Sequence, residues 1–100
     1  MTPGGQDITP TIYLFTQEGC ANCPAAKAVI QEAFSGANIN VKMIDLQAMD
    51  PDFEFKLLEH QVFIASTPSI LIENGGHLKL LYSGVVPTVE QLRREVLDAA

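Results

Sequence analysis

Three observations predict a small α/β domain, a four-stranded mixed sheet with three helices in the order β-α-β-α-β-β-α. Along the chain, apolar residues alternate between the period of a strand and that of a helix. The last two strand-like runs flank Asn74-Gly75-Gly76, a hairpin signal, because tight hairpin turns need φ > 0 and Asn and Gly supply it at low cost. The length is 100 residues, about one domain, and 47% of them are apolar, enough for a core without metal or disulfide staples. Strands alternating with helices imply a parallel unit with a right-handed crossover. The closing hairpin adds antiparallel strands, and helices cover both faces.

Residues 1–10, rich in Gly, Pro and Thr, carry no period and are expected to form a flexible leader, so the domain spans 11–100. Thr11-Ile-Tyr-Leu-Phe-Thr16 is apolar on both faces, as suits a buried central strand. From Cys23 the period becomes helical, with Ala26, Val29, Ile30, Ala33 and Phe34 on one face. Pro24 fits a first turn and Gly36 a helix end. Val41 to Leu46 reads as the second strand, with Met43 and Met49 as core filler. Asp50-Pro51 opens the second helix, whose buried side is Phe53, Leu57 and Leu58 and which ends near His60. Ser69 to Glu73 and His77 to Ser83 form the hairpin. Thr88-Val-Glu-Gln91 fits a capping box ahead of a last helix lined by Val89, Leu92, Val96 and Leu97.

Six Lys and Arg against twelve Asp and Glu leave a net charge of −6 and a pI near 4.6. That charge argues against nucleic acid as a partner, since phosphate binding rests on Lys and Arg. It leaves room for steering a basic protein partner. The N-terminus has no basic segment, and the first apolar run, Ile12 to Phe15, is too short for a signal-peptide core or a membrane span. A soluble, cytoplasmic monomer is expected, with no membrane partner.

In a reducing compartment two cysteines are not expected to staple a fold, and a pair three positions apart points to redox or metal chemistry. Cys20-Ala21-Asn22-Cys23 falls where a buried strand gives way to a helix. The first helical turn presents unpaired N–H groups and the positive end of the dipole, which favour thiolate over thiol. Cys20 is therefore the exposed nucleophile and Cys23, one turn further in, the shielded resolving thiol. Lys27 adds positive potential and Glu18 opposes it. Two buried, inert cysteines and half of a zinc site are the competing readings. A zinc site needs two further ligands from His60 and His77, which lack the paired spacing.

Taken with Ile64-Ala-Ser-Thr-Pro68 before the third strand and Gly84 after the fourth, the pair resembles the thioredoxin and glutaredoxin superfamily from Thr11 to about Ala99. The resemblance implies a thioredoxin-like fold and a cis Pro68 lying against the cysteines. It also implies that the Thr67 backbone pairs with the substrate chain and that Gly84 leaves room for it. The chain departs from thioredoxins in having Gly19 where their tryptophan stands before the first cysteine, and in lacking their buried acid on the central strand. It departs from glutaredoxins in having Gln17 and Asn22 where they carry lysine and tyrosine, and in lacking their Gly-Gly-x-Asp glutathione clamp. Tyr82-Ser-Gly-Val-Val-Pro-Thr88 is similar to the Ser-Gly-Phe-x-Pro of glutaredoxin-like proteins that supply ribonucleotide reductase and are recharged by thioredoxin reductase. The implied activity is thiol–disulfide oxidoreduction on protein disulfides, with a reductase as second partner, weak glutathione dependence and no bound cofactor. The alternative is a module that holds an iron–sulfur cluster or metal through Cys20, because thiolates suit such groups. A redox-inert scaffold with a relict pair is a third reading.

Overall fold

A computed structural model describes residues 9–97. The elements run β1 (Thr11–Thr16), α1 (Cys23–Ala33), β2 (Asn40–Asp45), a 3-10 turn (Leu46–Ala48), α2 (Pro51–Glu59), β3 (Ser69–Asn74), β4 (His77–Ser83) and α3 (Val89–Leu97). Residues 1–8 of the expected leader and 98–100 at the far end lie outside the described residues. Pro10 is tied to the sheet, its carbonyl accepting the Asn40 N–H at 3.0 Å.

The sheet order is β2-β1-β3-β4, with β1 parallel to β2 and antiparallel to β3, and β3 antiparallel to β4. The four-stranded mixed sheet with three helices is thus the observed architecture. β1 is central, as its two apolar faces require. Ile12 and Leu14 pair with Ile72 and Ile70 and pack under α1 and α3, against Ala26, Ile30, Leu92 and Val96. The alternate residues Tyr13 and Phe15 face α2 with Leu71 and Leu57. Each fully buried Leu, Ile or Phe contributes about 1.5–3 kcal/mol, so both layers rest on β1 and β3.

Local chemistry sets the element ends. Pro24 and Pro51 stand in the first turns of α1 and α2, where a missing N–H costs nothing. Gly36, at φ +78°, follows the end of α1. α3 carries the capping box: Thr88 N–H donates to Gln91 Oε1 at 2.9 Å, and Gln91 N–H donates to Thr88 Oγ1 at 3.1 Å. The hairpin turns on Gly75 and Gly76, both at positive φ, while Asn74 closes β3 opposite His77. A bulge between Ile70 and Leu71 shifts β4, so that Leu78 and Leu80 face the α2 side whereas Leu81 and Tyr82 both pack on the other.

Three sequence expectations are corrected. Leu46 begins the 3-10 turn instead of ending β2, because Asp45 Oδ1 accepts the Gln47 N–H at 2.9 Å and bends the chain out of extension. Leu58 is 54% exposed: Leu57 and Phe53 already fill the sheet face beneath α2. Met43 is 47% exposed because β2 is an edge strand and α1 covers its face only in part.

Candidate active site

Register gathers the site at one end of the sheet. Phe15 pairs with Ser69, and Ser69 pairs with Ser83. The segments after β1, before β3 and after β4 therefore emerge together, and they carry Cys20, Thr67-Pro68 and Gly84 respectively.

After β1 the chain turns at Gly19, at φ +84°, and the Cys20 N–H donates to the Gln17 carbonyl at 3.2 Å. Cys20 is half-buried just ahead of α1, and Cys23, its first residue, is 8% exposed. Asn22, the residue before the helix, makes no side-chain cap; the Cys23 N–H donates to the Cys20 carbonyl at 3.5 Å, and Pro24 has no N–H to offer. The two cysteines are joined in a disulfide with their Cα atoms 5.5 Å apart. The unequal shielding of the two sulfurs follows from position, since the second lies on the helix face that meets the core.

The Thr67-Pro68 peptide is cis. Pro68 and Ser69 are buried, the Ser69 hydroxyl donates to the Ser66 carbonyl at 2.6 Å, and the Gly84 N–H donates to the Pro68 carbonyl at 2.8 Å. Gly84 sits at φ +76°, and a Cβ there would stand 3.2 Å from Ser66 Cβ. At this position the glycine already accommodates the chain's own Ser66 loop.

Sequence reasoning missed the contact that binds the two loops. Gln17 Nε2 donates to Thr67 Oγ1 at 3.0 Å, across the gap between the cysteine turn and the cis-proline segment. Both residues stood out in the sequence, Gln17 as a departure and Thr67 as a backbone site, but nothing in either paired their side chains.

The ionisable network lies elsewhere. Glu73 pairs with Thr11, at the end of the sheet remote from Cys20. It accepts the Tyr13 hydroxyl at 2.7 Å and is ion-paired to Lys56 of α2. Burial, the hydrogen bond to Glu73 and its charge push Tyr13 up to about 12. Burial would raise Glu73, but hydrogen bonds from Lys56 and Tyr13, with the charges of Lys56 and Lys42, outweigh it and hold the carboxyl below its ordinary value. This network braces the sheet against α2. His77 opens β4 at this same remote end, and His60 caps α2 with Nδ1 donating to the Lys56 carbonyl at 3.0 Å. Among the described residues, no three His, Cys, Asp or Glu side chains converge as a metal site. No described helix is long and apolar enough to cross a membrane.

A disulfide at a strand-to-helix turn, tied to a cis-proline loop on a β2-β1-β3-β4 sheet, places the molecule in the thioredoxin class of folds. The chain belongs to the thioredoxin family: the model described as thioredoxin domain matches residues 11–97. Among solved structures it is similar to thioredoxin-2 of the malaria parasite, at 13% identity and a TM-score of 0.66 over 94% of this chain and 86% of that one. Thioredoxin 1 of Thermosipho africanus TCF52B is similar at 17% identity and a TM-score of 0.59, over 89% and 97% of the two chains. Thioredoxin O2 of Arabidopsis thaliana, in its oxidised state, matches at 18% identity and 0.61 over 90% and 74%. At these identities the likeness is one of fold. No curated protein sequence matches the chain.

Proposed function

We propose that the protein is a dithiol–disulfide oxidoreductase that reduces disulfides of other proteins. The observation that carries this reading is the Cys20–Cys23 disulfide at the head of α1, with the Thr67-Pro68 loop linked to the same turn. In the reduced domain the Cys20 thiolate attacks one sulfur of a substrate disulfide. A mixed disulfide forms and the other substrate sulfur leaves as a thiolate. Cys23, deprotonated, then attacks the Cys20 sulfur, the substrate departs with both sulfurs reduced, and the domain retains the disulfide. The two electrons passed on are restored by exchange with a reductase of the thioredoxin-reductase type, so the cycle calls for no bound cofactor. In this scheme the Thr67 backbone pairs with the substrate chain beside Pro68, and Gly84 lets that chain approach. The reducing cytoplasm is the compartment in which this cycle runs.

Insulin reduction by the wild type and by Cys20→Ser and Cys23→Ser tests the assignment. Both variants lose turnover, and Cys23→Ser, with its nucleophile intact, accumulates a mixed disulfide resolvable by mass. Wild-type activity in both would refute it. A brown anaerobic preparation whose colour depends on Cys20 would favour cluster binding instead.

A further inference from the structure

On the α2 side, the 3-10 turn, α2 and the segment leading to Pro68 enclose a groove of about 210 Å³. That is below the roughly 300–1,000 Å³ of small-molecule pockets and matches an inserted side chain. Leu46, Met49 and Leu57 belong to the core cluster beneath it, while Leu58 and Phe63 line it from the outside at 54% and 69% exposure. Phe55 is 62% exposed one helical turn before Leu58 and extends the apolar surface. Three bulky apolar groups this exposed on one helix and its following loop form a patch of the kind that marks an interaction site.

The charge around the patch selects the occupant. Glu54 lines the groove, and Asp52 and Glu59 are exposed on the same helix. Lys56, the one lysine or arginine of α2, is engaged by Glu73. A second copy of the chain would bring the same acids against themselves in a two-fold interface, and like charges so placed repel. We infer that the groove docks a segment of a partner protein that presents a bulky apolar side chain flanked by Lys or Arg. The groove wall at Ile64 lies four residues before Pro68, at most about 14 Å along the chain. The groove therefore lies within that length of chain from the cis-proline loop, and the inference that it docks a partner does not rest on the redox reading.

The probe is a short, cysteine-free peptide with a Phe-Leu centre flanked by pairs of lysines, compared with a version carrying glutamates in their place. Amide chemical shifts of the ¹⁵N-labelled full chain locate and quantify binding. The lysine peptide shifts amides within residues 46–64, binds less tightly as salt is raised, and loses about five-fold or more in affinity to Phe63→Ser and to Glu54→Lys. Both positions are exposed, and dispersed amide spectra with cooperative thermal melts confirm that both variants fold, Glu54→Lys melting slightly lower because it places a cation in the first turn of α2. Shifts confined to other regions, equal binding of the glutamate peptide, or wild-type affinity in both variants would overturn the inference. So would a dimer, seen by sedimentation, that Phe63→Ser dissociates. Because the peptide contains no sulfur, failure here is distinct from failure of the oxidoreductase assignment, which insulin reduction reads separately.

Discussion

Gln17 joins two loops that lie fifty residues apart in the chain, and its amide is the one described side-chain link between them. The bond is exposed, so its removal should alter the site more than the stability. Gln17→Ala is expected to raise KM for a protein disulfide about five-fold with kcat nearly unchanged, the equivalent of about 1 kcal/mol of positioning. Thr67→Val should do the same, and the double variant should be no worse than either single one; additive losses would show that the bond does not act as a unit. Gly84→Ala belongs to a different class, because the added Cβ must take a left-handed backbone and press on Ser66. A loss of about 1–2 kcal/mol in urea unfolding is expected. At the remote end of the sheet, Tyr13 and Glu73 set opposite limbs of the pH profile. Glu73 is held below its ordinary value in the folded state, so the stability it lends is full above the unfolded value near 4.5 and is lost as pH falls through the folded one. Tyr13 is raised from 10 to about 12, so its contribution is full below 10 and is lost as pH rises toward 12. Glu73→Gln should flatten the acid limb of a melting-temperature profile and Tyr13→Phe the alkaline limb. The cysteine pair was legible from its spacing together with its place between a buried strand and a helix, whereas the Gln17 contact was not, because loop polar residues have no period to reveal a distant partner.

At the scale of elements, α1 and α3 are joined by an arginine as well as by their apolar faces. Arg93 of α3 donates from Nε to the Ala33 carbonyl at 3.0 Å and from a terminal nitrogen to the Glu32 carbonyl at 3.3 Å. These carbonyls end α1 and have no partner within the helix. Arg93→Ala should cost about 1 kcal/mol by chemical denaturation, and Arg93→Lys should restore only part of it, since one ammonium does not reproduce the planar fork. Thr88→Ala, which removes one half of the capping box, should cost a similar amount. The capping box was readable because its two residues are local. The Arg93 contact was not, because it spans sixty residues and places a polar chain on a helix face that periodicity marks only as solvent-facing. Periodicity also has a limit within a single helix. It identified Phe53, Leu57 and Leu58 as one apolar side of α2, but the width of the sheet beneath decides how much of that side is covered, and Leu58 is left outside. Met43 is exposed for the related reason that strand order, which decides which strand lies at an edge, is set by pairing across the whole sheet.

The whole molecule is two cores on one sheet. The order of elements was legible because strand and helix periods alternate cleanly, and the central place of β1 because it is apolar on both faces. The two cores share β1 and β3: Ile12, Leu14, Ile70 and Ile72 serve one, and Tyr13, Phe15 and Leu71 the other. Neither layer can lose those strands without exposing the opposite face, so unfolding should be a single cooperative event. The chain contains no tryptophan and two tyrosines, and these divide between the cores, Tyr13 under α2 beside Phe53 and Tyr82 against the α1/α3 side. Each core can therefore be followed separately. In Tyr82→Phe the remaining tyrosine fluorescence reports the α2 core, and in Tyr13→Phe it reports the α1/α3 core. Within each variant the urea midpoint by fluorescence should coincide with that by far-ultraviolet circular dichroism. Leu14→Ala, which truncates the α1/α3 core, should cost about 2–5 kcal/mol. Introduced with Tyr82→Phe, it should shift the Tyr13 signal of the opposite core by as much as the dichroism. Two separated transitions would mean that the shared strands do not couple the layers.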